Sequence, residues 1–336
     1  MDSLDSTNKK ININLKQNDK VSVIIPTYNG KEYIAETIES ILSQDYPNME
    51  IIITDNCSTD GTENVVKNYL KDKRIKYIRN DKNMGMHYNY NNAFYNYANG
   101  KYVKIIDHDD YLIDNSFISK AVSMFDENEN LSLVFAKCKN LYMDSGKLIG
   151  INLQNDKVTP GLEYFLNYEK SYKYGHITSV VTSLFNKDKL KEVNCFKENS
   201  TYKDLFLYLN AMLVGDIGFI DSYCGVYRVY KTSGTYQIND TEINIIEKLE
   251  HDNSTILALE DLKIKAKKKY GLSDQEALEW INFRVMKVIF YRINILIELN
   301  LYNHIDLLLD NIKNDYFSAY LSLKRYINNI SQQNKN

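Results

Sequence analysis

A surplus of one charge, paired cysteines and long apolar runs are all missing from this 336-residue sequence, and each absence removes a class of protein. Lys and Arg number 41 against 44 Asp and Glu, for a net charge of −3. A nucleic-acid binder driven by electrostatics needs a basic surplus and is excluded. Cys57, Cys138, Cys195 and Cys224 lie far apart with no C-x-x-C pair. That argues against a zinc cage or disulfide framework and fits a reducing compartment. No stretch of about 18 uncharged apolar residues occurs, and the first 20 residues are polar, so neither a membrane span nor a secretory signal is expected. The expected location is cytoplasmic, with peripheral contact at the inner face of a membrane left open. The common phosphate and catalytic signatures are missing too: no G-x-x-x-x-G-K-[ST], no G-x-G-x-x-G, no H-E-x-x-H and no G-x-S-x-G elbow. There is no internal repeat and no low-complexity linker. The 28 tyrosines, with many Asn, Lys and Ile, read as coding bias rather than function.

What is present is a regular alternation. Val21-Ser-Val-Ile-Ile25 predicts a buried strand stopped by Pro26. Ile34, Ile38, Ile41 and Leu42 share one helical face, and Asp45-Tyr-Pro-Asn48 ends that helix. Glu50-Ile-Ile-Ile-Thr54 predicts a second strand. Ser58-Thr-Asp-Gly61 offers cap chemistry to a helix marked by Val65, Val66, Tyr69 and Leu70. Ile75–Ile78 is a short third strand, 86–98 a helix, and Tyr102–Ile106 a fourth strand. Strand–helix alternation with short connections implies right-handed β-α-β units and a mostly parallel sheet with both faces covered. Beyond residue 115 the order loosens: a helix over 115–128, strands over Leu131–Tyr142 and Val180–Phe185, and a helix over 203–214. From about 240 the pattern is helical. Ile281, Val285, Val288, Ile289, Ile293 and Ile297 form an apolar stripe for packing on the rest of the chain, on a second copy or on a membrane surface. Lys263, Lys265, Lys267, Lys268 and Lys269 would supply charge for the last of these.

In an open α/β sheet, ligands bind outside the carboxyl ends of the strands. Three polar segments follow strands there: Pro26-Thr-Tyr-Asn-Gly30, Asp55-Asn-Cys-Ser-Thr-Asp-Gly61 and Asp107-His-Asp-Asp110. In an extended segment Asp107 and Asp109 face one ligand while Asp110 turns away. Crowded carboxylates repel unless a cation joins them. Mg²⁺ or Mn²⁺ takes only one or two carboxylates together with substrate phosphates. A solvated acidic turn explains the same residues, and His108 reads as a spacer or packing residue.

The segment 20–232 resembles the family-2 inverting glycosyltransferases, which have the nucleotide-diphospho-sugar (GT-A) fold. The match is carried by Val21-Ser-Val-Ile-Ile-Pro-Thr-Tyr-Asn29, Ser40-Ile-Leu-Ser-Gln44, Glu50-Ile-Ile-Ile-Thr-Asp55 and Ser58-Thr-Asp-Gly-Thr62. It continues through Asn83-Met-Gly85, Ala98-Asn-Gly-Lys-Tyr102 and Asp107-His-Asp-Asp110. The resemblance implies an α/β, GT-A-type, mostly parallel sheet flanked by helices, and it leaves the helical C-terminal extension read from the pattern unexplained. It divides the chain into a lead-in (1–19), a catalytic domain (20–235, with a nucleotide half 20–114 and an acceptor half 115–235) and C-terminal helices (240–332). It implies a donor pocket from Pro26, Thr27, Tyr28, Asn29, Asp55, Asn83, Gly85, Asp107, His108 and Arg228. Within it Asp55 would accept from the base, and Asp109 with Asp107 would hold Mn²⁺ or Mg²⁺. It places the general base at Asp204, and Asp188 or Asp216 would be next to consider. The implied partners are a nucleotide-diphosphate sugar, UDP-linked, and a glycan, lipid-linked or protein acceptor. Homodimerisation or peripheral membrane contact would go through the C-terminal helices.

Four positions depart from the family pattern. Asp55-Asn56 stands for an Asp-Asp pair, Tyr90-Asn91 for Arg-Asn, Lys203-Asp204 for Glu-Asp, and Tyr230-Lys231 where a late His often follows Tyr-Arg. Tyr164, Tyr168, Tyr172, Tyr174 and His176 read equally as sugar-packing aromatics on the acceptor side or as ordinary core. A nucleotidyltransferase would need a Gly-rich basic loop after strand one, which Pro26-Thr-Tyr-Asn29 is not. A non-catalytic sugar-nucleotide binder or scaffold is the competing reading.

Overall fold

The computed structural model describes residues 19–177, 179–195, 203–230, 242–298 and 301–333. The lead-in up to residue 18, the segment before Lys203 and the boundary near 235 lie outside the described residues.

The chain runs β1 (Val21–Thr27), α1 (Ile34–Leu42), β2 (Met49–Asp55), α2 (Thr62–Lys67), β3 (Ile75–Arg79), α3 (Met86–Asn92) and β4 (Tyr102–Ile105). It continues through β5 (Tyr111–Leu112), α4 (Phe117–Glu127), β6 (Leu131–Tyr142), β7 (Lys147–Gly150), β8 (Val158–Thr159) and α5 (Gly161–Asn167). Then come β9 (Ser183–Asn186), α6 (Lys187–Glu192), α7 (Lys203–Val214) and β10 (Asp216–Val229). Four helices follow: α8 (Glu242–Tyr270), α9 (Asp274–Glu298), α10 (Tyr302–Ile312) and α11 (Phe317–Gln333).

The sheet order is β3-β2-β1-β4-β9-β6-β10-β5, with β7 on β6 and β8 on β10. β3, β2, β1 and β4 are mutually parallel, as the β-α-β alternation requires. β9 then pairs antiparallel with both β4 and β6. β6 and β10 therefore run in the sense of β1, and their carboxyl ends reach the same edge.

Alternation along β1 sets the two layers. Val21, Val23 and Ile25 join a core formed with α1, α2 and α4. Ile24 points the other way, into a core shared with α3, α5, α7 and the C-terminal helices.

Three local readings change. β1 runs through Pro26, which pairs with Thr54 of β2. The carbonyl of Ile24 accepts from Ile106 on the β4 side, and residue 26 faces that side too. β4 stays paired with β1 only as far as Ile24 opposite Ile105, so no ladder bond is lost to proline there. The predicted helix 86–98 is α3 followed by a π turn, Ala93–Tyr97. The predicted strand 180–185 opens as a 3₁₀ turn, Val180–Thr182. The Ser58–Gly61 segment does open α2: Gly61 (φ 96°) is its N-cap residue and Asp60 accepts the Thr62 N–H at 2.9 Å, while the Ser58 hydroxyl donates to Asp55.

The C-terminal stripe is internal. Ile281, Val285, Val288, Ile289 and Ile293 are buried in the larger core, and Trp280 stacks on Phe165 at 4.4 Å. Its indole N–H donates to the Phe165 carbonyl at 3.0 Å. That face is covered by the chain itself, so it offers no surface to a membrane or a second copy. Lys263, Lys265 and Lys267 pair with Glu260, Asp261 and Asp274, and Lys269 donates to the Leu213 carbonyl at the end of α7. No described helix is long and apolar enough to cross a membrane.

Candidate active site

The chain order reverses between β1 and β4: β2 lies on one side of β1, β4 on the other. That switch point is where an open α/β sheet leaves a crevice. The loops after β1, β2 and β4 meet there.

The first two loops are stitched together. Asn29, in the left-handed region (φ 52°), accepts from Thr59 N–H at 2.9 Å through its side-chain oxygen. Its own N–H donates to the Ser58 hydroxyl at 2.9 Å. The Gly30 N–H donates to Thr62 Oγ1, and the Lys31 N–H to Asp60, both at 2.9 Å. Tyr28 stays 45% exposed at the tip. Thr27 is buried, and its hydroxyl has no hydrogen-bond partner among the described residues.

Asp55, ending β2, is buried and already bound. Ser58 donates to it through both N–H and Oγ (2.8 and 2.6 Å), Tyr77 donates its phenol, and Arg79 Nε lies 3.8 Å away. Burial comes first among the causes that raise the Tyr77 phenol, followed by the Asp55 carboxylate. Asn56 organises the next loop: its side chain donates to Asn83 Oδ1 at 2.7 Å and accepts from Met84 N–H at 2.9 Å. Asn83 Oδ1 also accepts from Gly85 N–H at 2.9 Å, where φ is +84°. The Asn83–Gly85 pair therefore shapes a turn.

Asp107-His-Asp-Asp110 is a β-turn rather than an extended segment, closed by Asp110 N–H to the Asp107 carbonyl at 3.1 Å. Asp107, His108 and Asp109 are half-buried, while Asp110 points fully inward. The His108 ring fills the space beside Gly30, where a Cβ would come within 2.4 Å of it. That is the packing role expected of it, and it explains why residue 30 carries no side chain. Burial, then Asp109 and Asp107, push the Asp110 carboxyl well above its usual range. Its oxygens take the Arg228 N–H at 2.9 Å and the Ser179 hydroxyl at 3.5 Å.

Arg228 is only 5% exposed. Its guanidinium donates to the Asp109 carbonyl and to Glu36, and lies between the rings of Tyr33 and Tyr111 at 4.6 and 4.7 Å. It holds the acidic turn from behind.

Three groups were not singled out from the sequence. Lys104, buried within β4, donates to the carbonyls of Ile105, Val180 and Val181 at 2.9, 2.8 and 2.6 Å. Burial pulls its ammonium down to about 7, against the opposing charge of Asp110. Tyr90, at a position noted only as a departure, donates its hydroxyl to Asp107. Tyr77 fixes Asp55. A lysine inside an apolar strand was the one available signal.

Asp204 lies exposed in the first turn of α7, where the helix dipole favours a carboxylate. Burial raises the Tyr90 phenol well above its usual range, and the charges of Asp107, Asp204 and Asp109 add to it. The base candidate and the acidic turn thus act on one side chain. Tyr164 and Tyr168 are buried among core aromatics, so ordinary packing accounts for them. Tyr174 donates to Glu163, and His176 is exposed. The side chain of Tyr172 lies outside the described residues.

A half-parallel sheet with an acidic turn at its switch point defines a GT-A-type transferase. The family model for glycosyl transferase family 2 matches residues 22–194, and the chain belongs to that family. It is 33% identical over 218 residues to the UDP-Glc:alpha-D-GlcNAc-diphosphoundecaprenol beta-1,3-glucosyltransferase WfaP of Escherichia coli, covering 63% of this chain and 78% of WfaP. It is 30% identical over 229 residues to the GalNAc(5)-diNAcBac-PP-undecaprenol beta-1,3-glucosyltransferase of Campylobacter jejuni, covering 63% of this chain and 71% of that one. Other curated glycosyltransferases are matched over 36% or 20% of their own length. Residues 1–349 of Staphylococcus aureus TarS, solved with UDP-GlcNAc, share the fold: TM-score 0.54, 20% identity, 91% of this chain and 92% of that one.

Proposed function

We propose that this chain transfers a sugar from a UDP-linked donor to a hydroxyl of a lipid-linked saccharide during cell-surface glycan assembly, with inversion at the anomeric carbon. The observation that carries the reading is the acidic turn Asp107-His-Asp-Asp110 after β4, at the switch-point edge where the loops after β1 and β2 also meet. The acceptor class follows the names of the two relatives above. The donor class follows their names and the UDP-GlcNAc bound to TarS.

The residues fit a divalent cation of the Mg²⁺ or Mn²⁺ type. Asp107 and Asp109 are two half-buried carboxylates with no third ligand in reach: among the described residues there is no group of three or more ligating side chains. Such ions take one or two carboxylates and complete their shell with substrate phosphates. Bound there, the cation would neutralise charge building on the departing diphosphate.

The protein's own groups do the rest. The orphaned Thr27 hydroxyl and the exposed Tyr28 ring line the nucleoside side of the crevice. Asp55, buried and held by Ser58 and Tyr77, sets the loop after β2 rather than reaching the base itself. Asn29, Asn83 and Gly85 shape the flanking loops. Arg228 and His108 brace the acidic turn. Asp204 takes the proton of the acceptor hydroxyl as that oxygen attacks, which suits an exposed carboxylate at a helix start.

The test is a thermal-shift panel of UDP, GDP, dTDP and CMP with and without Mn²⁺, followed by donor-hydrolysis and transfer assays. A ligand that binds only the folded state raises its apparent stability. We expect a metal-dependent shift with UDP that is lost in Asp109→Ala. Asp204→Asn should keep the shift and lose roughly 10²- to 10⁴-fold in transfer rate. A UDP shift with no donor turnover points instead to a sugar-nucleotide binder, and no shift with any nucleotide overturns the donor site.

A further inference from the structure

Tyr90 occupies the place where the family pattern has an arginine, yet the structure gives it a specific task. Its ring is buried with Ile24, Phe94 and Val103 in the larger core, so its hydroxyl is held at a fixed point. That hydroxyl donates to Oδ1 of Asp107. A guanidinium at this point would cancel part of the Asp107 charge; a neutral hydroxyl orients the carboxylate and leaves its charge intact.

We propose that Tyr90 is a positioning residue that orients Asp107 toward a divalent cation and the donor diphosphate, making nucleotide binding depend on the metal. This rests on the donor-site reading above.

The experiment is calorimetric titration of UDP into the full chain, with and without Mn²⁺. The variants are Tyr90→Phe, Asp107→Ala and the double substitution, each checked for an unchanged circular dichroism spectrum. In the wild type, Mn²⁺ should tighten UDP binding. Tyr90→Phe should reduce that metal-dependent gain about 10-fold, the scale of one hydrogen bond to a charged group, and leave metal-free UDP binding unchanged. In the Asp107→Ala background the same substitution should have no further effect, because residues acting as one unit do not add. A cost equal with and without Mn²⁺, or one that persists in Asp107→Ala, overturns the positioning role while the donor site stands. A wild type that binds UDP with no metal gain overturns the proposal together with the metal reading. A wild type that binds no UDP overturns the donor site itself.

Discussion

The switch-point edge and the C-terminal helices both bury charge, but they balance it differently. In the helices, charges meet in pairs. Arg292 bonds Asp252 through Nε at 2.7 Å and a terminal nitrogen at 3.1 Å, both side chains buried. Arg284 bonds Glu169 at 2.8 Å between the rings of Tyr168 and Phe283. At the edge, Asp107, Asp109 and Asp110 crowd one turn. The neighbouring cations are committed elsewhere: Arg228 to Glu36 and a carbonyl, Lys104 to three carbonyls. Paired burial builds a scaffold. At the turn, burial and its two acidic neighbours push Asp110 towards its neutral form, while Asp107 and Asp109 stand half-buried at the edge.

The contrast can be broken at either end. The largest effect expected is at the edge: Asp109→Ala should lower transfer about 10³-fold, equivalent to ~4 kcal/mol, with little change in denaturation midpoint. A loss of stability matching the loss of rate would make Asp109 part of the scaffold instead. Arg292→Met should do the reverse. It breaks the buried ion pair with Asp252 in the helical core, so urea unfolding should show a loss of about 3 kcal/mol. UDP affinity of the protein that remains folded should not change. The smallest effect concerns pH. Burial alone would raise Glu169, but the hydrogen bond to His176 and the charges of His176, Arg284 and Lys287 hold it at about 2, below its ordinary 4.5. A carboxylate depressed by folding stabilises the protein above its unfolded value and loses that contribution as pH falls. The contribution, on the order of 2 kcal/mol, should be present above pH ~4.5 and fade toward pH 2. Glu169→Gln should flatten that acid limb; an unchanged limb would mean the charge cluster is not paired in solution.

Much of the parallel half was legible because period-2 and period-3.6 patterns there are short and cleanly punctuated. α7 begins and ends where the residues suggested, over 203–214. β1 was read too short because proline was taken as a stop, and only the early departure of β4 shows why it is tolerated. The mixed second half was less legible. β9 depends on pairing with β4 and β6, distant in sequence, and its opening turn is set by those partners rather than by local propensity. At the site, the acidic turn was visible as a motif. Tyr90 and Tyr77 were hidden among 28 tyrosines, because what distinguishes them is the carboxylate each meets, not their type. Asp110 was read as turning away from the ligand, and it does, into the core.

The Arg228 clamp also fixes an order of events during synthesis. It reaches back 119 residues to Asp109 and 192 to Glu36. A nascent chain that has emerged only through Asp110 already contains the four parallel strands and the acidic turn. It lacks the guanidinium that braces that turn and the backbone N–H that caps Asp110. Long-range contacts of this kind form late. The acidic turn therefore takes its final shape only after residue 228 has left the ribosome, and a truncation just before that residue would give a sheet with an unset acidic edge.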